Sequence, residues 1–293
     1  MMSMLRYLFI LDDSETSANL KAKLSREMHE MDSGVEYDFY EAAGPEDALR
    51  HVSLFCDLHK DIDTCFVSCG GDALTAGVAA GLMGSGEGKY LAVYDAEGLN
   101  SLARYYEGVD FGSLPMLIAG SPSGIDMIRI NNSYAVNACT FGLEEIMNGK
   151  VPGFIPSLST ILKRSFRTIR IKADGVPLDT GSILLFTLAN GRYASGGLNC
   201  APQASNDDGK MDLCIVKTLP PTRMMKLILA LASGGLADDT AFTDDIILRR
   251  VKNLEVESAK EITLDLDGMS LIDKHFTIRL IPDAVRLIVP SQG

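Results

Sequence analysis

Apolar and polar positions change rhythm near residue 120. Before that point short apolar runs alternate with longer, polar-faced segments. Tyr7 to Leu11 predicts a strand, and Ser14 to Met31 predicts a helix opened by Ser14 or Thr16 as N-cap. Val35 to Tyr40 predicts a second strand, and Gly44-Pro45-Glu46-Asp47 opens a helix running towards Leu58. Thr64 to Ser68 predicts a third strand, followed by a tight glycine turn and a helix. Tyr90 to Tyr94 predicts a fourth, followed by Asp95-Ala96-Glu97-Gly98-Leu99-Asn100 and a helix from Ser101 to Tyr106. Strands alternating with helices predict a parallel sheet with helices on both faces.

After Gly120 strands dominate. Asp126 to Ile130, Ser133 to Thr140, Thr168 to Ala173, Ser182 to Ala189, Met211 to Lys217, Asn253 to Ser258, Ile262 to Leu266 and Phe276 to Leu280 all carry strand patterns. Turn chemistry bounds many of them: Asn131-Asn132, Ala173-Asp174-Gly175, Asp267-Gly268. Helical patterns are few, at Ile155 to Lys163 and Thr222 to Ala232. This half predicts a mainly antiparallel sandwich or flattened barrel. The last strand, Val285 to Val289, follows Ile281-Pro282-Asp283 and is expected to return to the first domain. The fold class is therefore a two-domain α+β chain. An N-terminal α/β three-layer domain spans 1–122 plus 283–293, and a C-terminal antiparallel β-sandwich spans 123–282.

The chain has 293 residues, which suggests two domains or one large one, and its 46% hydrophobic and 23% charged content is ordinary for a globular protein with a full core. A net charge of −12 argues against nucleic acid, whose backbone needs a basic footprint, and against tight docking on anionic lipid. At most peripheral membrane contact is expected. The start, MMSMLRYLFILDD, reads as a first strand rather than a signal peptide, and no apolar run approaches the roughly 18 residues of a membrane span. A cytoplasmic location is the expectation. The six cysteines form no C-x-x-C pair and mostly lie in apolar runs, so they read as reduced core residues. The four histidines are dispersed, and zinc chemistry is not expected.

The stretch Cys69-Gly70-Gly71-Asp72-Ala73-Leu74-Thr75-Ala76-Gly77 has the layout of a strand, a glycine turn and a helix that can hold a phosphate. By itself it also reads as a tight turn with close helix packing. Three separated segments then line up with one family. GGDAL resembles the Gly-Gly-Asp-Gly-Thr loop of diacylglycerol kinases and their sphingosine- and NAD-kinase relatives. Asp95 to Arg104 resembles that family's second loop, keeping Ala96, Asn100, Ala103 and Arg104. Asn190 to Leu213 resembles its second-domain signature in the order Gly196-Gly197, Ala201-Pro202, Ala204, Asp207-Asp208-Gly209. Asp265-Leu266-Asp267-Gly268-Met269 stands where the family has Val-Asp-Gly-Glu. NAD kinases carry an Asn-Glu pair that is missing here, so the bacterial lipid-kinase branch fits better.

The resemblance implies ATP and Mg2+ as cofactors, a lipid or other small-molecule ligand, and a cleft between the domains. It places Gly70, Gly71, Asp72, Ala73, Gly98 and Asn100 at the nucleotide. Asp207 matches an active-site acid facing Asp72, and Asp208 matches a structural magnesium ligand helped by the carbonyls of Ser205 and Lys210. The departures all fall on chemistry. Ala73 adds a methyl where the family has glycine, and positive φ there would be disfavoured. Leu74 removes a hydroxyl. Asp95 and Glu97 bring carboxylates towards the expected phosphates; a like-charge pair about 6 Å apart costs about 3 kcal/mol at an effective dielectric of 20, roughly a hundredfold in affinity. A bound divalent cation reverses that sign if Asp72, Asp95 and Glu97 are its ligands. The first loop is Asp12-Asp13-Ser14-Glu15, where the family has Asn-Pro and basic residues. Met269 replaces the glutamate thought to take the lipid hydroxyl proton, a loss of about 10²–10⁴-fold. Asp267 is the candidate substitute, since on an extended strand it shares a face with Asp265 and Met269.

Three readings remain: a slow ATP-dependent lipid kinase, a non-catalytic relative that binds lipid or nucleotide, and a binder of a different small ligand. The exposed sheet edges of the second domain also allow a homodimer.

Overall fold

The computed structural model describes residues 5–13, 15–31, 34–142, 167–194, 198–199, 201–220, 222–223, 226 and 245–292. The chain divides into two compact units, Met1–Ile125 with Asp283–Gly293, and Asp126–Pro282.

The first unit begins with β1 (Arg6–Asp12), α1 (Glu15–Glu30), β2 (Tyr37–Ala42), α2 (Pro45–Leu58), β3 (Thr64–Cys69) and α3 (Asp72–Gly81). It continues through β4 (Lys89–Val93), α4 (Ser101–Tyr105) and α5 (Leu114–Ile118) into β5 (Ser121–Ile130). The parallel strands run β4-β3-β1-β2, with Phe9 opposite Val67 on one side and Phe39 on the other. Every residue of β3 is buried, as a strand covered on both faces requires. Phe9, Leu11, Leu24, Val67, Ala92 and Leu117 form part of the core.

In the second unit, β6 (Ser133–Ala135), β7 (Ala138–Phe141), β8 (Arg167–Ala173), β9 (Val176–Leu178) and β10 (Ser182–Ala189) come first. Then follow β11 (Tyr193–Ala194), β12 (Leu198–Asn199), β13 (Met211–Lys217), β14 (Ile246–Val251), β15 (Asn253–Leu266) and β16 (Met269–Val289). The antiparallel order is β14-β13-β10-β7-β15-β16, with β8 pairing both β10 and β15. Ile128, Ile171, Phe186, Leu213, Val256, Leu264 and Phe276 lie in its core. The unit is β-sandwich-like. Asp174-Gly175 and Asp267-Gly268 both have positive φ at each residue, the backbone of a two-residue hairpin turn.

The structure departs from the sequence expectation at several elements. Ser133 to Thr140 is not one strand: it bends at Val136-Asn137, whose N–H groups leave the ladder for the carboxylate of Asp267. Asn253 to Leu266 is one strand with a register shift between Glu257 and Ile262 rather than two strands. Pro282 does not end the last strand: β16 continues to Val289 through Asp283 at φ +48°. The short elements α5, β9, β11, β12 and β14 were not anticipated. The expected helix at Ile155 to Lys163 lies outside the described residues, as does all but Thr222, Arg223 and Lys226 of the expected Thr222 to Ala232 helix. Cys56, Cys65, Cys69, Cys139 and Cys214 are free and buried. Among the described residues no helix is long and apolar enough to cross a membrane.

Candidate functional site

In the first unit two loops meet. Gly71 ends the β3 turn and serves as N-cap of α3, and Asp72 is the first helical residue. The Asp72 carboxylate accepts from Ser101 N at 2.7 Å and from Ser101 Oγ at 2.6 Å. Asn100 closes the same junction from below: its Nδ2 donates to Gly70 O at 3.2 Å and to Thr75 Oγ1 at 2.9 Å. Thr75 Oγ1 and Ser68 Oγ share a hydrogen bond of 2.9 Å. Asn100 is thus bonded directly to Gly70, and Asp72 is tied to the Asn100 loop through Ser101, while Gly98 stands exposed in the second loop at φ +70°. Burial raises the pKa of Asp72; the Ser101 bonds oppose the rise and Asp95 adds to it.

Ala73 sits inside the first turn of α3, outside the positive-φ positions, so its methyl meets no backbone strain. That corrects the expected penalty there. Leu74 is buried, and its Cδ2 lies 2.7 Å from where a Cβ on Gly70 would stand. The leucine side chain therefore covers one side of the glycine turn. On the other side Gly71 has no atom within 4 Å of an added Cβ.

The loops differ in what their N–H groups do. The second loop spends those of residues 99–103 internally. Asp95 accepts from Leu99 N at 3.1 Å and Asn100 N at 2.9 Å, Asp72 takes Ser101 N, and Asn100 Oδ1 accepts from Leu102 N at 3.1 Å and Ala103 N at 3.2 Å. Asp95 is thus turned onto its own loop, while Glu97 is exposed. By contrast, α3 has no side-chain cap. The α3 terminus therefore leaves backbone donors open to an anion, and the N–H groups of residues 99–103 do not.

In the second unit Ser205, Asp207, Asp208 and Lys210 lie in one turn before β13. Asp207 Oδ1 accepts from Ser205 Oγ at 2.5 Å, and Asp208 Oδ1 accepts from Lys210 N at 3.0 Å. Asp208 Oδ2 pairs with the Arg250 guanidinium. Asp126, buried, holds this turn from beneath: its N donates to Asn206 O at 2.6 Å, and its Oδ2 accepts from Gly209 N at 2.8 Å. Asn190, fully buried, ties Asp126 O to Val136 O through its Nδ2 at 2.8 and 2.9 Å. Asn137 O in turn accepts from Asn190 N and Gly191 N.

Asp267 stands at the far end of that chain of bonds. It is 1% exposed, and its carboxylate accepts from the N–H groups of Val136, Asn137 and Ala138 at 2.6 to 3.3 Å. Its φ of +52° puts it in the hairpin turn after β15, so it does not share an extended strand face with Met269. Met269 is partly buried and packs against the sandwich core. Ser101, Asp126, Asn190 and Arg250 escaped the sequence reading as site residues. Asn190 opens the signature segment and Ser101 follows Asn100, but neither position announces which backbone it will grip. Among the described residues no group of three or more His, Cys, Asp or Glu side chains is placed to hold a metal.

A two-unit chain with a parallel α/β unit, a β-sandwich-like unit and these loops has the fold of diacylglycerol kinases. A crystal structure of a diacylglycerol kinase from Bacillus anthracis str. Sterne superposes with a TM-score of 0.72 at 19% identity, covering 97% of this chain and 96% of that one. A further structure from the same organism gives 0.76 at 20% identity over 98% of both chains. At such identities the likeness shows the fold alone. Residues 145–289 match the family model described as the YegS C-terminal NAD kinase beta sandwich-like domain. A Pseudomonas aeruginosa PAO1 protein named "Probable lipid kinase YegS-like" is 30% identical over 248 residues, 75% of this chain and 80% of its own. A Pectobacterium atrosepticum protein of the same name is 26% identical over 265 residues, 84% of each chain. The chain belongs to the YegS-like lipid kinase family.

Proposed function

We propose that the protein is a slow lipid kinase, which transfers the γ-phosphate of ATP to the hydroxyl of a lipid or lipid-like alcohol. The observation that carries this reading is the open α3 terminus beside Gly71, with the Asp72 carboxylate fixed at its first turn by Ser101. ATP with Mg2+ would supply the transferable phosphoryl group and the charge neutralisation it needs. Gly70, Gly71 and the Ala73 N–H would hold phosphate oxygens. Asp72 would hold the phosphate loop in shape through Ser101, and Asp207, an exposed carboxylate, is the candidate to accept a hydroxyl proton in place of the missing glutamate. Asp267 is not placed to meet a hydroxyl, because it is buried and its carboxylate already accepts from three backbone N–H groups. The acceptor would be met by peripheral contact with a membrane.

A second reading, a non-catalytic binder of lipid or nucleotide, is favoured by the closed second loop and by Met269 on the core. One assay separates them. Purified protein is incubated with Mg-ATP and diacylglycerol vesicles, and phosphorylated lipid is measured. Slow product is expected, abolished by Asp207→Ala and raised about 10²-fold or more by Met269→Glu. Vesicle or nucleotide binding without product from either the natural chain or Met269→Glu would overturn the kinase reading in favour of the second.

A further inference from the structure

We propose that Arg250 is a built-in replacement for a divalent cation at the Asp207-Asp208 turn, so that this turn holds its shape without metal. The proposal is independent of whether phosphoryl transfer occurs. The turn gathers Asp207 and Asp208, with Asp212 four residues further along the chain. Asp208 and Asp212, both within reach of Arg250, repel one another unless positive charge joins them. The family resemblance would fill that need with magnesium on Asp208. Here the guanidinium fills it. Antiparallel register sets Arg250 of β14 opposite Asp212 of β13. Its Nη2 pairs with Asp208 Oδ2, and its Nε lies 3.7 Å from Asp212 Oδ1. One planar cation therefore faces two carboxylates, a geometry a lysine ammonium does not reproduce.

Two further oxygens of the turn are also engaged, while Asp212 Oδ2 is buried without a hydrogen-bond partner among the described residues. Asp208 Oδ1 accepts from Lys210 N, and Asp207 Oδ1 accepts from Ser205 Oγ. Magnesium wants near-octahedral oxygen geometry and loses water reluctantly. To bind Asp208 Oδ2 it would have to displace a cation that is tethered to the neighbouring strand. An intramolecular guanidinium holds that place without any free ion and raises the magnesium concentration needed to displace it, whereas a free ion holds it only above its own dissociation constant.

The test uses the full chain without nucleotide. Protein is treated with EDTA and dialysed, its metal content is measured by mass spectrometry, and Tm is recorded with EDTA and with millimolar magnesium chloride. The natural chain is expected to carry no stoichiometric metal and to show one Tm in both buffers. Arg250→Gln should melt lower in EDTA and recover by roughly 2–4 °C with magnesium. Adding Asp208→Asn to that variant should remove the recovery, which assigns it to this turn. One magnesium retained per natural chain, or a natural Tm that falls in EDTA, would overturn the proposal. So would an Arg250→Gln protein as indifferent to magnesium as the parent. If Arg250→Gln does not fold, Arg250→Lys and the metal content of the natural chain still decide.

Discussion

Asp72 binds its proton more tightly than an ordinary aspartate, whose pKa is 3.8. Burial is the largest cause, and the two bonds from Ser101 only partly offset it. The sign of the stability effect follows. A folded-state pKa above the unfolded value means that the native state binds more proton between the two values. The contribution of Asp72 is therefore fully present below about pH 3.8 and is lost as pH rises through the folded pKa. Asp72→Asn removes the titration and can keep both bonds: its Oδ1 accepts from Ser101 N, and its amide donates to Ser101 Oγ. At neutral pH the variant is expected to melt at the same temperature as the parent or higher. The difference should shrink as acidity approaches the ordinary aspartate range, as thermal scans across pH would record. A variant that is less stable at neutral pH would mean that the Ser101 bonds to a charged carboxylate outweigh its burial. The same residue illustrates what sequence leaves unsaid. The acid at the start of the helix was legible in Gly70-Gly71-Asp72, but its partner lies 29 positions along the chain.

At the scale of elements, α3 is a helix of small residues because it lies tightly on α2. A Cβ on Gly77 would stand 2.2 Å from Pro45 O, and one on Gly81 would stand 2.8 Å from Leu49 O. Both obstacles are backbone and cannot swing aside. Gly71 has nothing near it, and its φ of −71° suits any residue. The two glycines are thus expected to respond in opposite ways. Gly77→Ala should cost about 2 kcal/mol or more through overpacking. Gly71→Ala should stay within about 0.5 kcal/mol of the parent and instead weaken any phosphate contact at the α3 terminus. Urea unfolding of both variants, with nucleotide binding followed for the second, checks the pair. Equal destabilisation would mean that the β3–α3 turn, not the helix contact, needs its glycines. The small-residue run Thr75 to Leu82 showed a tight helix in the sequence but did not say whether the tightness served packing or a ligand; the coordinates assign Gly77 and Gly81 to packing. Of the parallel strands of the first unit, β1, β3 and β4 were legible because burial on both faces writes continuous apolar runs. The break between β6 and β7 was not, because its cause is Asp267, 129 to 131 residues away. Continuity through Pro282 was hidden for a different reason, since a proline in a strand usually marks an end.

At the scale of the whole chain, the two units are not equally self-contained in sequence. The second is one uninterrupted stretch, whereas the first borrows its last eleven residues from the far end. That return contributes more than a tail. Leu287 pairs in register with Leu91 of β4, and Ser291 N donates to Met116 O at 2.9 Å. Val285, Leu287 and Ile288 are buried. Burying three such side chains is worth about 1.5–3 kcal/mol each, or about 5–9 kcal/mol together, against a total stability of about 5–15 kcal/mol for a typical domain. Without the strand β4 also becomes an open edge, although Leu91, Ala92 and Val93 are wholly buried beside it. A fragment of residues 1–125 is therefore expected not to unfold cooperatively. The same fragment carrying residues 283–293 through a flexible Gly/Ser linker is expected to do so, and the piece 126–282 should fold unaided. Circular dichroism with urea titration of the three polypeptides reads this directly. A cooperative transition in 1–125 at the midpoint of the linked version would show that the returning strand contributes little, and would move the boundary of the first folding unit to the end of α5.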